Sequence, residues 1–336
     1  MIFQDLVRAT LADRSDYVTA AANKLGISEL IVEKDFWVVW VLEQLFALSQ
    51  ELGPFTFKGG TSLSKGFRAI ERFSEDIDIS ISRGTLGFPD DAYFYDAGST
   101  NETKRRVLEI RAKVHAYTVE TILPTLRASI ADELQSENGW TLEPGDPGSL
   151  RFRYPTRQDG KIGYIEPDVL IEFGHADMWP ALDIEIQPYT VDVLDAVSGT
   201  IKVHVLDPQR TFWEKATLLH EIAHRDATLP FPLRYSRRYY DVAMLSQSEI
   251  GAGAIANTSL LKAVSDFKRV FFASERARYD LAKPGTMRLM FPDFRRETIS
   301  ADYEQMRPMF FGTVPSFDEV CERIIELEAR INAIAG

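Results

Sequence analysis

The sequence is nearly devoid of cysteine: Cys321 stands alone among 336 residues. No internal disulfide and no cysteine-built metal cluster can form from it. Long apolar runs are missing too. The richest, Phe36 to Leu48, is broken by Glu43 and Gln44 and is too short to span a bilayer. The start, Met1-Ile2-Phe3-Gln4-Asp5, lacks the basic lead and apolar segment of a secretory signal. The cytoplasm is therefore the expected compartment, with no membrane partner. Positive charge is in deficit, and the formal net charge is −12. Proteins that wrap nucleic acid broadly are basic, so any such contact here would be a local patch on an acidic body. Internal repeats and low-complexity tracts are absent as well. What is left is a globular composition, 45% hydrophobic and 26% charged, in a chain long enough for two domains.

The chain is organised around residues 57–82. A short strand, Phe55 to Lys58, runs into Gly59-Gly60 and a helix opening at Thr61 or Ser62. A second strand, Asp76 to Ile81, alternates, with Asp76, Asp78 and Ser80 on one face and Ile77, Ile79 and Ile81 on the other. Helix N-termini offer N–H groups to anions. Paired carboxylates suit a hard cation that also bridges to phosphates. One stretch thus supplies both halves of a site for a metal-bound triphosphate: Asp76 and Asp78 for the metal, Gly59, Gly60, Thr61 and Ser62 for the phosphates. Ser74 is either a phosphate contact or a strand cap, and Thr61 and Ser62 serve equally as plain N-caps.

Residues 15–50 read as helical, with Ser15 and Ser28 as N-caps and a buried helix over Ile31 to Phe46. Residues 83–103 read as an insertion or flexible loop. Lys104 to Gln135 is a long helical pattern that Pro124 kinks or divides. Asn138-Gly139 and residues 143–148 are turns. Strands are expected at Leu150 to Tyr154, Ile162 to Ile165, Val169 to Phe173, Leu182 to Ile186 and Ile201 to Leu206. Helices follow at Gln209 to Arg225, Ser236 to Ser248, Ser259 to Ala273 and Ser316 to Ala335. The fold class is α+β. The expected division is 1–52 as N-terminal helices, 53–206 as a catalytic core with a mixed sheet, and 207–336 as a mainly helical domain.

Two further groups carry chemistry. Catalysis with metal calls for a third carboxylate to accept a proton, and Glu172, Asp168 and Glu185 are the candidates. Arg234, Arg237 and Arg238, interleaved with Tyr235, Tyr239 and Tyr240, make either an RNA grip of phosphate contacts and stacking or a solvated charged face. One rival motif exists: His220-Glu221-Ile222-Ala223-His224 is His-Glu-x-x-His, which on a helix can bind zinc with Glu221 as general base. The extended form fails, because Ala227 and Pro230 stand where Gly and His are needed. A third ligand would come from further on, as Glu249 does in separation.

The ordered motifs resemble those of the AbiEii toxins, polymerase-β-like nucleotidyltransferases of type IV toxin–antitoxin and abortive-infection systems. The resemblance runs through Glu33-Lys34-Asp35-Phe36-Trp37, the Gly59-Gly60 turn, Arg72-Phe73-Ser74-Glu75-Asp76-Ile77-Asp78 and Val169 to Gly174. It continues through Arg210 to His220 and Ser236 to Val242. It leaves residues 83–160 and the last 80 or so unmatched. It implies a polymerase-β-like core, Mg2+ or Mn2+ at Asp76 and Asp78, and an NTP at Gly59 to Ser62 and Ser74. It favours Glu172 as the third carboxylate and implies a functional lysine at Lys215 and an aspartate at Asp241. The implied acceptor is RNA, tRNA in particular, and the implied partner a cognate antitoxin of the AbiEi kind. Bare alternatives are a zinc hydrolase at His220, Glu221 and His224, and a non-catalytic nucleotide- or partner-binding module.

Overall fold

The computed structural model describes residues 3–88, 92–136, 139–158, 165–175, 180–194 and 198–334. The chain forms two compact units. The first comprises Met1–Gly66 and Phe73–Leu206, the second Phe67–Arg72 and Asp207–Gly336. Six residues from the middle of the central stretch thus belong to the second unit.

The first unit is built on a seven-stranded mixed sheet. Its strands are β1 (Phe55–Lys58), β2 (Ile77–Ile81), β3 (Thr141–Pro144), β4 (Ser149–Arg153), β5 (Val169–Gly174), β6 (Ala181–Ile186) and β7 (Ile201–Leu206). The spatial order is β3-β4-β5-β2-β1-β7-β6. β2 runs antiparallel to β1 and parallel to β5, and β1 runs parallel to β7. Branched apolar residues fill the middle strands: Ile77, Ile79, Ile81, Val169, Ile171, Val203 and Val205 are all buried. This is the expected α+β class. Ile162, Gly163 and Tyr164 of one expected strand, and Asn138 of one expected turn, lie outside the described residues.

The Glu29–Ala47 helix is buried nearly all round: apolar residues cover every face, and Glu33, Lys34, Asp35, Glu43 and Gln44 are buried with them. Ser28 caps it, accepting from Leu30 N at 3.2 Å. Trp37 and Trp40 sit in an aromatic cluster: their rings are 5.2 Å apart, Trp37 stacks on Tyr154 at 5.5 Å, and Trp40 meets Phe152 at 5.8 Å. Such pairs add about 0.5–1.5 kcal/mol each beyond burial.

Two sequence expectations change here. Ser15 is not a cap; it lies inside the Leu11–Leu25 helix. Thr10 caps that helix instead, because its hydroxyl both accepts from Asp13 N at 3.1 Å and donates to Asp13 Oδ2 at 2.7 Å. Residues 83–103 are not simply a loop. Ala92–Tyr95 is a helical turn, and Phe88 and Phe94 are buried with rings 5.4 Å apart. The scattered aromatics are anchors. Pro124 does divide the long helix: it opens Leu123–Leu134, after a π-helical turn at Thr118–Ile122.

The second unit holds helices Pro208–Ala223, Ser236–Ser246, Glu249–Ala256, Thr258–Phe271, Arg296–Gln305 and Phe317–Asn332. Asp207 caps the first through Gln209 N at 2.7 Å, with Pro208 where its missing N–H costs nothing. The last helix carries a Ser316–Glu319 capping box and buries Phe317, Val320, Cys321, Ile324, Leu327 and Ile331. Its i, i+3, i+4 stripe is core. Segment 67–72 joins this unit through Phe311 N donating to Glu71 O at 2.9 Å and a bridge between Arg72 and Phe310.

Candidate active site

β1 ends at Lys58, and the backbone turns at Gly59 with φ +85°. This conformation favours glycine. A second requirement is spatial: a Cβ on Gly59 would lie 1.9 Å from Asp78 Oδ2. The missing side chain is what lets the Asp78 carboxylate fold over the turn. The helical start is earlier and shorter than expected, Gly59–Thr61, passing directly into a π-helical turn at Ser62–Gly66.

The hydroxyls expected to meet phosphates are turned inward. Thr61 Oγ1 donates to Asp76 O at 2.5 Å and lies 3.1 Å from Ser74 Oγ. Ser62 Oγ donates to Gly59 O at 3.0 Å. Thr61, Ser62 and Ser74 are all buried. These groups brace the turn against the start of β2.

Asp76 and Asp78 are partly exposed, and strand β2 starts at Ile77, so Asp76 stands just before it. In the parallel β2–β5 register Asp78 lies opposite Glu172, which is exposed. Neighbouring strands are about 4.8 Å apart, so these two carboxylates share one side of the sheet. The other candidates are occupied elsewhere. Asp168 is buried and takes Arg151 Nη1 at 2.7 Å, a bond that leads the upward shift of the Arg151 pKa. Glu185 sits on the edge strand β6, three strands from β2, and accepts from Thr200 at 3.1 Å.

Among the described residues no three His, Cys, Asp or Glu side chains form a metal-holding group. Mg2+ does not require one, since it takes one or two carboxylates and completes its shell with water and phosphate oxygens. Asp76 and Asp78, with Gly59 cleared of a side chain, are the one or two carboxylates such an ion takes. Zinc in an HExxH site needs a third protein ligand.

The His-Glu-x-x-His motif is structural. His220 is buried; its Nδ1 accepts from Arg288 N and its Nε2 faces Arg278 O, each at 3.0 Å. Both ring nitrogens are spent, and burial pushes its pKa down to about 4. His224 Nδ1 bonds His220 O at 2.9 Å, and Glu221 accepts from Tyr279 OH at 2.8 Å. The zinc-hydrolase alternative is thus unsupported.

In the second unit, Asp241 lies at the centre of a buried ion cluster. Arg72 Nε reaches Oδ1 at 2.7 Å and Arg72 Nη2 reaches Oδ2 at 2.8 Å; Lys215 Nζ meets Oδ2 at 2.9 Å. Burial alone would raise the Asp241 carboxyl, but the two cations outweigh it and hold it down at about 2. Burial lowers the Lys215 ammonium, which Asp241 only partly offsets. Lys215 keeps a side chain 12% exposed, whereas Asp241 is sealed.

The arginine–tyrosine segment is a correction. Tyr235, Tyr239 and Tyr240 are core residues. Tyr235 OH donates to Leu218 O at 2.8 Å, and the Tyr240 ring meets Phe310 at 4.7 Å. Helical spacing aims these rings inward, so none is left to stack on a base.

Sequence reasoning gave Glu33, Lys34, Asp35, Lys65 and Glu75 no role. All five are buried. Lys34 Nζ pairs with Glu75 Oε2 at 2.6 Å and donates to Glu166 O at 2.9 Å; Asp35 pairs with Lys65 and accepts from Tyr189 N at 2.6 Å. Glu33 accepts from Thr156 at 2.6 Å. The available signal was three consecutive charges inside a helix otherwise apolar enough to be core.

A mixed sheet carrying paired aspartates beside a glycine turn describes an enzyme of nucleotidyl transfer. The family model described as "Nucleotidyl transferase AbiEii toxin, Type IV TA system" matches residues 40–323, and the chain belongs to that family. It is a nucleotidyltransferase of the toxin arm of type IV toxin–antitoxin systems. Among solved structures it is similar to MenT4, a nucleotidyltransferase toxin from Mycobacterium tuberculosis H37Rv. The TM-score is 0.53 at 17% identity, over 95% of this chain and 90% of that one, a likeness of fold. No curated protein matches the sequence. Among the described residues no helix is long and apolar enough to cross a membrane.

Proposed function

We propose that the protein transfers a nucleoside monophosphate from an NTP to an RNA acceptor, tRNA being the first to test, with Asp76 and Asp78 holding Mg2+ or Mn2+. The observation that carries this reading is the trio of Gly59, Asp78 and Glu172: a turn without a side chain, a carboxylate folded over it, and a second carboxylate in register alongside. A bound divalent ion would offset charge on the triphosphate and on the departing pyrophosphate. The backbone of Gly59 to Ser62 lies against the triphosphate, with Thr61 and Ser74 fixing the turn from behind. Glu172 takes the proton of the attacking hydroxyl. A new oxygen–phosphorus bond forms at the α-phosphorus as the α–β bridge breaks and pyrophosphate leaves. Lys215 supplies a cation to the reaction and Asp241 orients it. A cognate antitoxin is the expected regulatory partner, as the family's description as a toxin–antitoxin component suggests.

The test is incubation with each labelled NTP, Mg2+ and total RNA. Label should enter RNA and be lost in Asp76→Ala and Asp78→Ala. Equal transfer by those variants would refute the site, and nucleotide binding without transfer to any RNA would favour a binding module.

A further inference from the structure

The central stretch leaves the first unit after Gly66 and returns at Phe73, with residues 67–72 belonging to the second unit. A detour of this kind gives the chain no continuous strand or helix to keep its two ends in place. Both ends are nevertheless gripped, by adjacent residues of one helix. Asp35 pairs with Lys65, one residue before the exit, and Lys34 pairs with Glu75, two residues after the return. Successive positions on a helix diverge by about 100°, so Lys34 and Asp35 reach separate targets. All four side chains are at least nine-tenths buried. Glu75 is bonded to Asp76 in sequence, and the Asp76 carbonyl accepts from Thr61 on the glycine turn. Glu166 O also receives Lys34 Nζ, which ties the same clasp to the approach of β5, the strand of Glu172.

We propose that Lys34 is a positioning residue for metal binding: through Glu75 it fixes the Asp76 carboxylate in the orientation that takes the divalent ion. The proposal rests on the reading of Asp76 as a metal ligand. Groups that orient ligands from behind typically cost roughly 10–100-fold in metal affinity when removed.

Removing one member of a buried pair leaves an uncompensated charge and destabilises, whereas replacing both with apolar residues of similar volume is often neutral. That difference separates positioning from folding. Lys34→Met alone should unfold more easily. The double variant Lys34→Met/Glu75→Met should unfold close to wild type, yet bind Mn2+ roughly tenfold or more weakly, read directly from the free-ion EPR signal. Its half-saturating Mg2+ in the transfer assay should rise in step. Lys34→Arg, which keeps the charge, should recover much of the loss. A folded double variant with wild-type Mn2+ affinity would overturn the proposal. If the double variant does not fold, Glu75→Gln decides by the same EPR measurement, and wild-type Mn2+ affinity in that variant would overturn the proposal. Asp76→Ala is run beside them. If it binds Mn2+ as wild type does, the metal-site reading itself falls; if it loses the ion while the folded pair variant keeps it, only the role of Lys34 falls.

Discussion

Arg72 and Asp241 meet through two parallel hydrogen bonds, at 2.7 and 2.8 Å, between side chains sealed from solvent and 169 positions apart. Lys215 adds a third bond to the same carboxylate. One negative charge thus holds two positive ones, and the members are unequal: Asp241 is indispensable to both cations, whereas Lys215 can retreat towards water.

Asp241→Asn should therefore be the most damaging change in this cluster, leaving Arg72 and Lys215 side by side without an anion. The expected loss is about 3–5 kcal/mol in denaturant unfolding, together with loss of transfer. Lys215→Met should cost less, about 2 kcal/mol, because Arg72 still neutralises Asp241, yet it should also abolish transfer. A Lys215→Met enzyme with normal turnover would remove the lysine from the reaction.

Gly59→Ala tests the turn. The alanine would have to adopt φ +85° and its Cβ would occupy the space of Asp78 Oδ2. Backbone strain of about 1–3 kcal/mol is expected, with a loss of Mn2+ affinity out of proportion to it, because the displaced atom is a carboxylate oxygen. Calorimetric titration with Mn2+ reads both the affinity and the stoichiometry.

Among the three acidic candidates, Glu172→Gln should lose transfer while leaving the melting temperature nearly unchanged, since the side chain is exposed. Glu185→Gln should alter neither. Asp168→Asn should lower stability by unpairing Arg151 and affect turnover less than Glu172→Gln does. Steady-state assays beside thermal melts separate the three.

Acid should weaken the fold through two buried histidines. The folded-state pKa of His220 is about 4, below the ordinary 6.5, because burial disfavours its charged form. The native state therefore holds fewer protons than the unfolded chain between those values. Stability contributed by neutral His220 is complete above about pH 6.5 and drains away as pH falls towards 4, at up to about 1.4 kcal/mol per pH unit for one such group. His175, pushed to about 4 by burial first and by nearby Arg83, adds in the same direction. Denaturant midpoints at pH 7.5, 6, 5 and 4.5 should fall on the acid side only.

Chelation supplies the last check. EDTA should stop transfer, and Mg2+ or Mn2+ should restore it. Elemental analysis of the purified protein should find no stoichiometric zinc, and Glu221→Gln should retain transfer. Stoichiometric zinc lost on His220→Ala would reverse this assignment.

The sequence was most legible where one local pattern served one purpose. The alternation of Ile77, Ile79 and Ile81 with Asp78 marked β2, and the apolar run from Phe36 to Leu42 marked the helix of Trp37 and Trp40. The four helices expected in the second unit fell within about three residues of their sequence cues, whereas Glu249–Ala256 and Arg296–Gln305 had none. Legibility failed where partners are distant in sequence. Lys34 finds Glu75, and Asp35 finds Lys65, only after folding. The tyrosines near Arg238 looked available because they alternate with arginine, but helical geometry turns their rings into the core. His-Glu-x-x-His has the spacing of a zinc site, and only the bonds from Arg288 N and to Arg278 O show both nitrogens of His220 taken. Thr61 and Ser62 were recognisable as turn residues, while the inward aim of their hydroxyls was not.

The pairing of Arg72 with Asp241 also sets a schedule. A ribosome adding roughly 5–20 residues per second needs on the order of ten to thirty seconds to travel from one to the other. Throughout that interval the Arg72 guanidinium lacks the carboxylate that will bury it, and segment 67–72 lacks Phe310 and Phe311, made later still. Residues 57–82 are therefore finished late although they are synthesised early, and a chain released before residue 241 cannot complete the ion cluster that holds their middle.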